Sequence, residues 1–205
     1  MRKNKSSKSW VIKQHRDPYF KKAKTLKFRS RSAFKLSELN QKFSFLKKKM
    51  DVIDIGSSPG GWSQVVKENI KDGKIIAIDI KEMDPIDGVI FIKSDFLSEN
   101  FSDKIKSNFK AKIDLILSDM AENTTGIKNL DSIRTNNLAY EVLNFSLNII
   151  KSDGVVVSKL FMGEDFEKVK VFAKNKFIKV NFFKPNSSRK DSKETYIHCK
   201  GLKAL

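Results

Sequence analysis

Residues Asp51 to Gln64, DVIDIGSSPGGWSQ, constrain the fold more than any other stretch of this chain. A β-branched run (Val52, Ile53, Ile55) stops at Gly56, and small residues then lead to Gly60, Gly61 and Trp62. Trp62, Val65, Val66 and Ile70 follow at i, i+3, i+4 and i+8, the spacing that lines one face of a helix. A strand, a tight Gly-rich turn and a helix therefore stand in direct succession. That element opens nucleotide-binding α/β domains, where backbone N–H groups and a helix N-terminus face a ligand.

The rest of the chain continues in the same manner. Strands are predicted at about 51–55, 74–79, 89–92, 113–118 and 154–160, with helical patterns between most of them. Asp131 is placed to cap a long helix running to about Ile150 and ended by Asp153-Gly154. Glu164 to Lys176 has the spacing of another amphipathic helix, and two strands at about 177–184 and 194–200 finish the chain across a polar turn from Pro185 to Lys193. Alternating β and α segments predict a mostly parallel, doubly wound α/β sheet with one antiparallel pair at its C-terminal end. The expected organisation is a basic flexible tail (1–9) and a single domain (10–205), whose residues 10–50 form a basic, partly helical extension. Within that extension Ser32 to Phe45 reads as a helix burying Phe34, Leu36, Leu39 and Phe43.

Charge separates the extension from the rest. The net charge is +17, and the first 50 residues carry 17 Lys/Arg against 2 Asp/Glu. The central hundred residues carry 11 against 16, so the body that holds the glycine turn is mildly acidic. A basic arm on an acidic ligand-binding body points to a polyanionic partner. No apolar run approaches the roughly 20 residues of a membrane span, the N-terminus lacks a signal-peptide core, and no membrane partner is expected. A single cysteine, Cys199, excludes an internal disulfide and a cysteine-based zinc site. A cytoplasmic monomer is the expectation, because no spare apolar helix face is evident.

The turn narrows the ligand. A dinucleotide fold wants G-x-G-x-x-G, whereas here Gly56 is followed by Ser57-Ser58-Pro59-Gly60-Gly61, with no basic residue to pair a phosphate. The Gly-Lys-Ser/Thr of a P-loop is also missing. A ligand without phosphate is favoured, and S-adenosylmethionine fits best, since Gly56, Gly60 and Gly61 let the backbone approach its amino-acid end. Asp79 ends the second strand about 20 residues on, where a carboxylate accepts ribose hydroxyls. Asp95, after the third strand, is placed to accept from an adenine amino group. Trp62 is expected to pack on the first helix and to flank the cofactor.

Four further side chains stand where a reaction could use them. Asp119 ends the strand Ile113 to Ser118 and so faces the same crevice. Lys159 ends the apolar run VVVSKLF, Lys35 lies in SAFKLSEL, and Glu194 begins the last strand in SKETYIHC. With RSRSAFKLSEL, SSPGGWSQ, DPIDGVIFIKSDF, LSDMAENTTG, SKLFMGEDF and SSRKDSKETYIHCKG in this order, nearly the whole chain resembles the FtsJ/RrmJ-like ribose 2′-O-methyltransferases of large-subunit ribosomal RNA.

That resemblance implies a Rossmann-like class I S-adenosylmethionine-dependent methyltransferase fold. It also implies a Lys-Asp-Lys-Glu tetrad, which falls on Lys35, Asp119, Lys159 and Glu194. The implied substrate is a uridine in the peptidyl-transferase loop of 23S rRNA, within the large-subunit rRNA or the 50S subunit, and not DNA. One departure is Glu122, where the family usually has proline.

Alignment of a poor nucleophile with an activated methyl group carries much of such a reaction. Lys159 reads as its base or as a group that steers the hydroxyl. Service as a base near pH 8 would need a lysine pKa brought down from ~10.4, at a cost of ~3 kcal/mol. Burial, Lys35 and a sulfonium push that way, while Asp119 and Glu194 oppose it. Lys21, Lys22, Lys24, Lys27, Arg29 and Arg31 are expected to guide an RNA backbone to the crevice, with Ser187, Ser188, Arg189 and Lys190 as its opposite lip. The tetrad does not encode the RNA, so the same reaction on tRNA or an mRNA cap stays open. A non-catalytic ribosome-assembly protein is the reading of a different class.

Overall fold

The computed structural model describes residues 17–121, 128–163 and 165–204. The expected tail, Glu122 and Glu164 lie outside them. The basic arm contributes α1 (Pro18–Thr25) and α2 (Ser32–Phe43). There follow β1 (Val52–Ile55), α3 (Gly61–Asn69), β2 (Ile75–Asp79), β3 (Ile90–Lys93), α4 (Phe101–Lys106) and β4 (Ile113–Ser118). The chain continues through α5 (Lys128–Ile149), β5 (Ile150–Phe161), α6 (Phe166–Lys176), β6 (Phe177–Phe183) and β7 (Glu194–Leu202).

The strands lie in the order β3-β2-β1-β4-β5-β7-β6. The first five are parallel, and β7 runs antiparallel to both β5 and β6. The expected doubly wound sheet is therefore present, with the hairpin reversed onto its end so that β7 is inserted next to β5. Burial explains the choice. Residues Glu194 to Cys199 of β7 are all buried, whereas β6 is largely exposed and takes the edge position, where strands are only half paired.

Successive residues of each strand point to opposite faces. On one face Val52, Leu115, Leu117 and Val157 pack under α2 and α3 through Leu36, Leu39, Trp62 and Val66. On the other, Ile53, Ile78, Ile116 and Val156 meet Ile105, Val142, Leu143 and Val169 from α4, α5 and α6. Each such side chain contributes roughly 1.5–3 kcal/mol of burial. Between β1 and β4 the direction of winding reverses, which opens a crevice at their carboxyl ends.

Three local expectations change. Helix α2 stops at Phe43 rather than Phe45, because Ser44 turns left-handed (φ 52°) and gives its N–H to Asn40 O. Helix α5 ends at Ile149, within a residue of the expected limit, but Asp153-Gly154 is not what stops it. Ile150 already pairs with Ile113, and Lys151 to Gly154 bulge out opposite Asp114, which Lys151 grips at 2.6 Å. Asp131 sits in the first turn of α5 rather than at its cap. Helix α1, which the sequence did not single out, starts where Asp17 accepts the N–H of Tyr19 and Pro18 follows it, both ordinary helix-start devices.

His198 in β7 is buried and stacked on Phe43 at 4.3 Å, with neither ring nitrogen bonded among the described residues. Burial pushes its pKa down to about 4. Below an unfolded value of about 6.5 the denatured chain therefore binds a proton that the native state refuses, and stability is lost as pH falls towards 4. Asp54, buried in β1 and raised to about 7, has the opposite slope, so a difference measurement is needed. Between pH 7 and 4.5, His198→Leu should gain about 2 kcal/mol relative to wild type in urea unfolding. An unchanged difference between the two proteins would refute the assignment.

Candidate active site

A cavity of about 350 Å³ opens at the carboxyl ends of β1, β2, β3 and β4. Its walls include Gly56, Ser58, Asp79, Asp95, Asp119 and Met120, and its size suits a small-molecule ligand. Gly56 is held at φ +78°, and a Cβ there would lie 2.5 Å from Met120 Cγ. Only glycine lets β1 turn this tightly beside the end of β4. Asp79 accepts the N–H of Ser58 at 2.9 Å and of Lys81 at 2.8 Å, tying the glycine turn to the end of β2. Asp95 accepts the N–H of Leu97 at 2.9 Å. Both carboxylates thus stand on the wall while they shape their own loops.

The other three residues expected at the cofactor, Gly60, Gly61 and Trp62, also pack against the basic arm. A Cβ on Gly61 would be 2.2 Å from Ser30 Oγ, and one on Gly60 would meet Arg29 and Ile86, so these glycines admit the basic arm. Trp62 is buried with its Nε1 donating to Ser32 O at 2.9 Å, and its ring packs on Tyr196. None of the three lines the cavity. The second half of the turn is a docking surface for the segment before α2.

The cavity's charge fits S-adenosylmethionine. Among the described residues Asp79, Asp95 and Asp119 face it against Lys81 alone, and below the turn Asp54 keeps Oδ1 buried with no described partner while Oδ2 accepts from Ser63 at 2.6 Å. Such walls suit a ligand carrying ammonium and sulfonium charge and disfavour a polyphosphate.

Asp119 also belongs to a second group of side chains. Lys159 Nζ lies 2.8 Å from Asp119 Oδ1 and donates to its backbone oxygen at 2.9 Å. Lys35 Nζ reaches Glu194 Oε1 at 2.7 Å and Oε2 at 2.8 Å, and Lys159 stands 3.9 Å from Glu194 Oε2. The four residues come from α2, the end of β4, β5 and β7, 159 positions apart at the extremes, and form one largely buried cluster. Burial pulls the Lys159 ammonium down, yet Asp119 and Glu194 outweigh it and hold its pKa above the usual lysine value. Burial pushes the Asp119 carboxyl up, and Lys159 and Lys35 outweigh that and hold it below the usual range. The pair is ionised, and Lys159 has one N–H beyond hydrogen-bond reach of Glu194.

One member of this cluster escaped the sequence reading, and a second was expected in another role. Tyr196 is fully buried opposite Lys159 and donates to Asp119 Oδ1 at 2.7 Å. Burial and the facing carboxylates push its pKa well up, so the hydroxyl stays a donor. Ser188 gives its hydroxyl to Glu194 Oε1 at 2.7 Å. Alternation along TYIHC was the available signal for Tyr196, since it shares a face with Glu194. Ser188 was expected on the lip beside Glu194, and the turn instead buries its hydroxyl against that carboxylate.

The expected RNA path is also divided. Arg29 donates to the carbonyls of Asp84 and Pro85, and Arg31 pairs with Asp17 and Ser187 O, so both arginines clamp the arm. Lys21, Lys22, Lys24 and Lys27 remain exposed, as do Arg189 and Lys190. Ser187 and Ser188 are buried and form no lip. Glu38 fixes their turn by accepting the N–H of Asn186 and Ser187.

Residues 28–202 match the family described as FtsJ-like methyltransferase. The ribosomal RNA large subunit methyltransferase E of Pelagibacter ubique is 46% identical over 203 residues, covering 99% of this chain and 100% of that protein. Among solved structures, a Plasmodium falciparum protein described as a ribosomal RNA methyltransferase superposes with a TM-score of 0.77 at 36% identity, covering 85% of this chain and 98% of its own. Human methyltransferase-like protein 13, solved with S-adenosylhomocysteine, shares the fold at a TM-score of 0.58 and 15% identity, covering 82% of this chain and 78% of its own.

Proposed function

We propose, for a chain that belongs to the FtsJ-like methyltransferase family, that it methylates the ribose 2′-hydroxyl of a uridine in large-subunit (23S) ribosomal RNA, at the 50S stage. Its methyl donor is S-adenosylmethionine. The observation that carries this reading is Asp119, which is at once a wall of the cofactor cavity and the partner of Lys159. Two sites that share one carboxylate suit a transfer between them.

When bound, S-adenosylmethionine supplies a methyl group on a sulfonium, an electrophile that needs alignment more than activation. Lys159 is ionised in this cluster, so it acts as a donor that fixes the orientation of the ribose oxygen rather than as a base. Its two bonds to Asp119 set its direction, and its third N–H is free for the hydroxyl. As the C–O bond formed and the C–S bond broke, its electron pair leaving with sulfur as a neutral thioether, the attacking oxygen would become a protonated ether, a strong acid. The Asp119 carboxylate, within the same cluster, accepts that proton and releases it to solvent. Lys35 and Glu194 hold one another at the mouth, where the ribose and its flanking phosphates would lie. Gly56, Asp79 and Asp95 would hold the donor.

Large subunits purified from cells lacking the protein provide the test. Incubated with it and tritiated S-adenosylmethionine, they should gain one alkali-resistant ribose methyl at a uridine. Label on free rRNA but not on 50S particles would reverse the proposed stage. Label on tRNA or capped mRNA alone would replace the substrate. No label on any of them would favour a binding protein that kept the fold.

A further inference from the structure

A second charged knot beside the cluster takes no part in the mechanism above. Arg31 stands at the N-terminus of α2, one helical turn before Lys35, where it pairs with Asp17 and donates to Ser187 O. Arg189 brings its Nε to 4.0 Å from the same Asp17 oxygen. One carboxylate therefore faces two guanidiniums. Arg31 Nε and Ser187 Oγ, both buried, have no hydrogen-bond partner among the described residues. Donors exceed acceptors, and burial, then Arg189, lowers the Arg31 pKa against the opposing pull of Glu194. The knot adjoins the reacting groups, because Ser188, between Ser187 and Arg189, holds Glu194.

We propose that Arg31 and Arg189 form a subsite for one RNA phosphodiester flanking the target ribose, and that Asp17 occupies this subsite until RNA arrives. The proposal rests on the RNA-methylating reading above. A phosphodiester and a carboxylate both present two oxygens sharing one negative charge, the pattern that a guanidinium fork recognises. The phosphodiester adds acceptor oxygens that the unpaired donors of Arg31 and Ser187 can use. Arg189, half exposed, supplies the open side through which a strand enters. Exchange of one anion for another leaves the burial of Arg31 compensated throughout.

Two variants and a salt titration test this, with a large-subunit rRNA fragment as the probe. Arg189→Gln should weaken binding about tenfold and lower the slope of log K against log salt by roughly 0.7–0.9, the share of one lost phosphate contact. Asp17→Asn keeps an N-cap acceptor but removes the competing charge, so RNA affinity should rise several-fold. S-adenosylmethionine affinity should be unchanged in both.

An unaltered slope in Arg189→Gln would overturn the subsite. Weaker RNA binding by folded Asp17→Asn would overturn its role as a stand-in and leave it a structural anchor. The two readings fail separately. Wild-type protein that methylates ribose with no response to Arg189→Gln sinks the subsite alone. Loss of RNA affinity in Arg189→Gln, with no methyl transfer by wild type, sinks the enzymatic reading alone.

Discussion

Lys159→Ala should lower methyl transfer by on the order of a thousandfold while S-adenosylmethionine binding stays close to wild type. A positioned donor or proton-transfer group contributes roughly 10²–10⁴-fold, and Lys159 is the one cation of the cluster that touches Asp119 directly. It does not line the cofactor cavity, so donor binding is expected to survive its loss. Single-turnover transfer to RNA and calorimetric titration of the donor separate the two effects. Near-wild-type turnover in folded Lys159→Ala protein would end the proposed mechanism.

The pH profile distinguishes the two roles that the sequence left to this lysine. Because its pKa is raised above the ordinary lysine value, the ammonium persists across the neutral range, and the rate should stay flat between about pH 7 and 9. A lysine base brought down to about 8 would instead produce a rising limb there. Such a limb would restore the base assignment and place the sulfonium among the forces that set its pKa.

The second large effect is expected at Asp119, where a single substitution should damage three quantities at once. Asp119→Ala removes a wall of the cavity, the ion partner of Lys159 and the acceptor of the Tyr196 hydroxyl. Donor affinity should fall about tenfold and turnover by a further 10²-fold or more. Stability should drop as well, because breaking a buried ion pair from one side costs about 3–5 kcal/mol when the remaining charge keeps no partner. Here the Asp119 backbone oxygen still accepts from Lys159, and Glu194 lies nearby, so the loss should sit at the lower end. Donor titration, single-turnover kinetics and urea unfolding measure the three. Intact donor affinity with lost turnover would remove Asp119 from the cofactor site and leave it only in the cluster.

Much of the architecture was legible because its causes are local. Residues 52–55, 75–79 and 113–118 are apolar runs bounded by turn residues, and they became β1, β2 and β4 within a residue of the expected limits. The end of α5 was placed within a residue, but what stops the helix is non-local. Asp153-Gly154 looks like a helix stop, yet pairing of Ile150 with Ile113 captures the chain four residues earlier and leaves that dipeptide in a bulge. Asp79 and Asp95 could be placed on the cavity because strand ends in such a sheet share one edge. Gly60, Gly61 and Trp62 could not be separated from Gly56 by spacing alone, since the segment that packs on them lies some thirty residues away.

The basic arm shows the same division. Its charge is plain in the sequence, but which cations are free is a property of the fold. Arg29 is spent on carbonyls, because the arm must be fastened across the glycine turn, and Arg31 is held by Asp17 and Ser187 O in the protein without RNA. The lysines of α1 stay exposed to solvent, Lys22 with its Nζ over the Phe34 ring.

The glycine turn that begins after β1 therefore determined, unaided, the class of fold and one end of a small-molecule site. A tight turn after a buried strand has few physical solutions, and these are written in consecutive residues. Only the tertiary structure decided that Gly56 faces the cavity while Gly60 and Gly61 face the arm. It alone drew Lys35, Asp119, Lys159 and Glu194 together and added Tyr196, Ser188 and Asp54. Burial and opposing charge set the ionisation of Lys159, and both depend on neighbours that the chain brings from opposite ends.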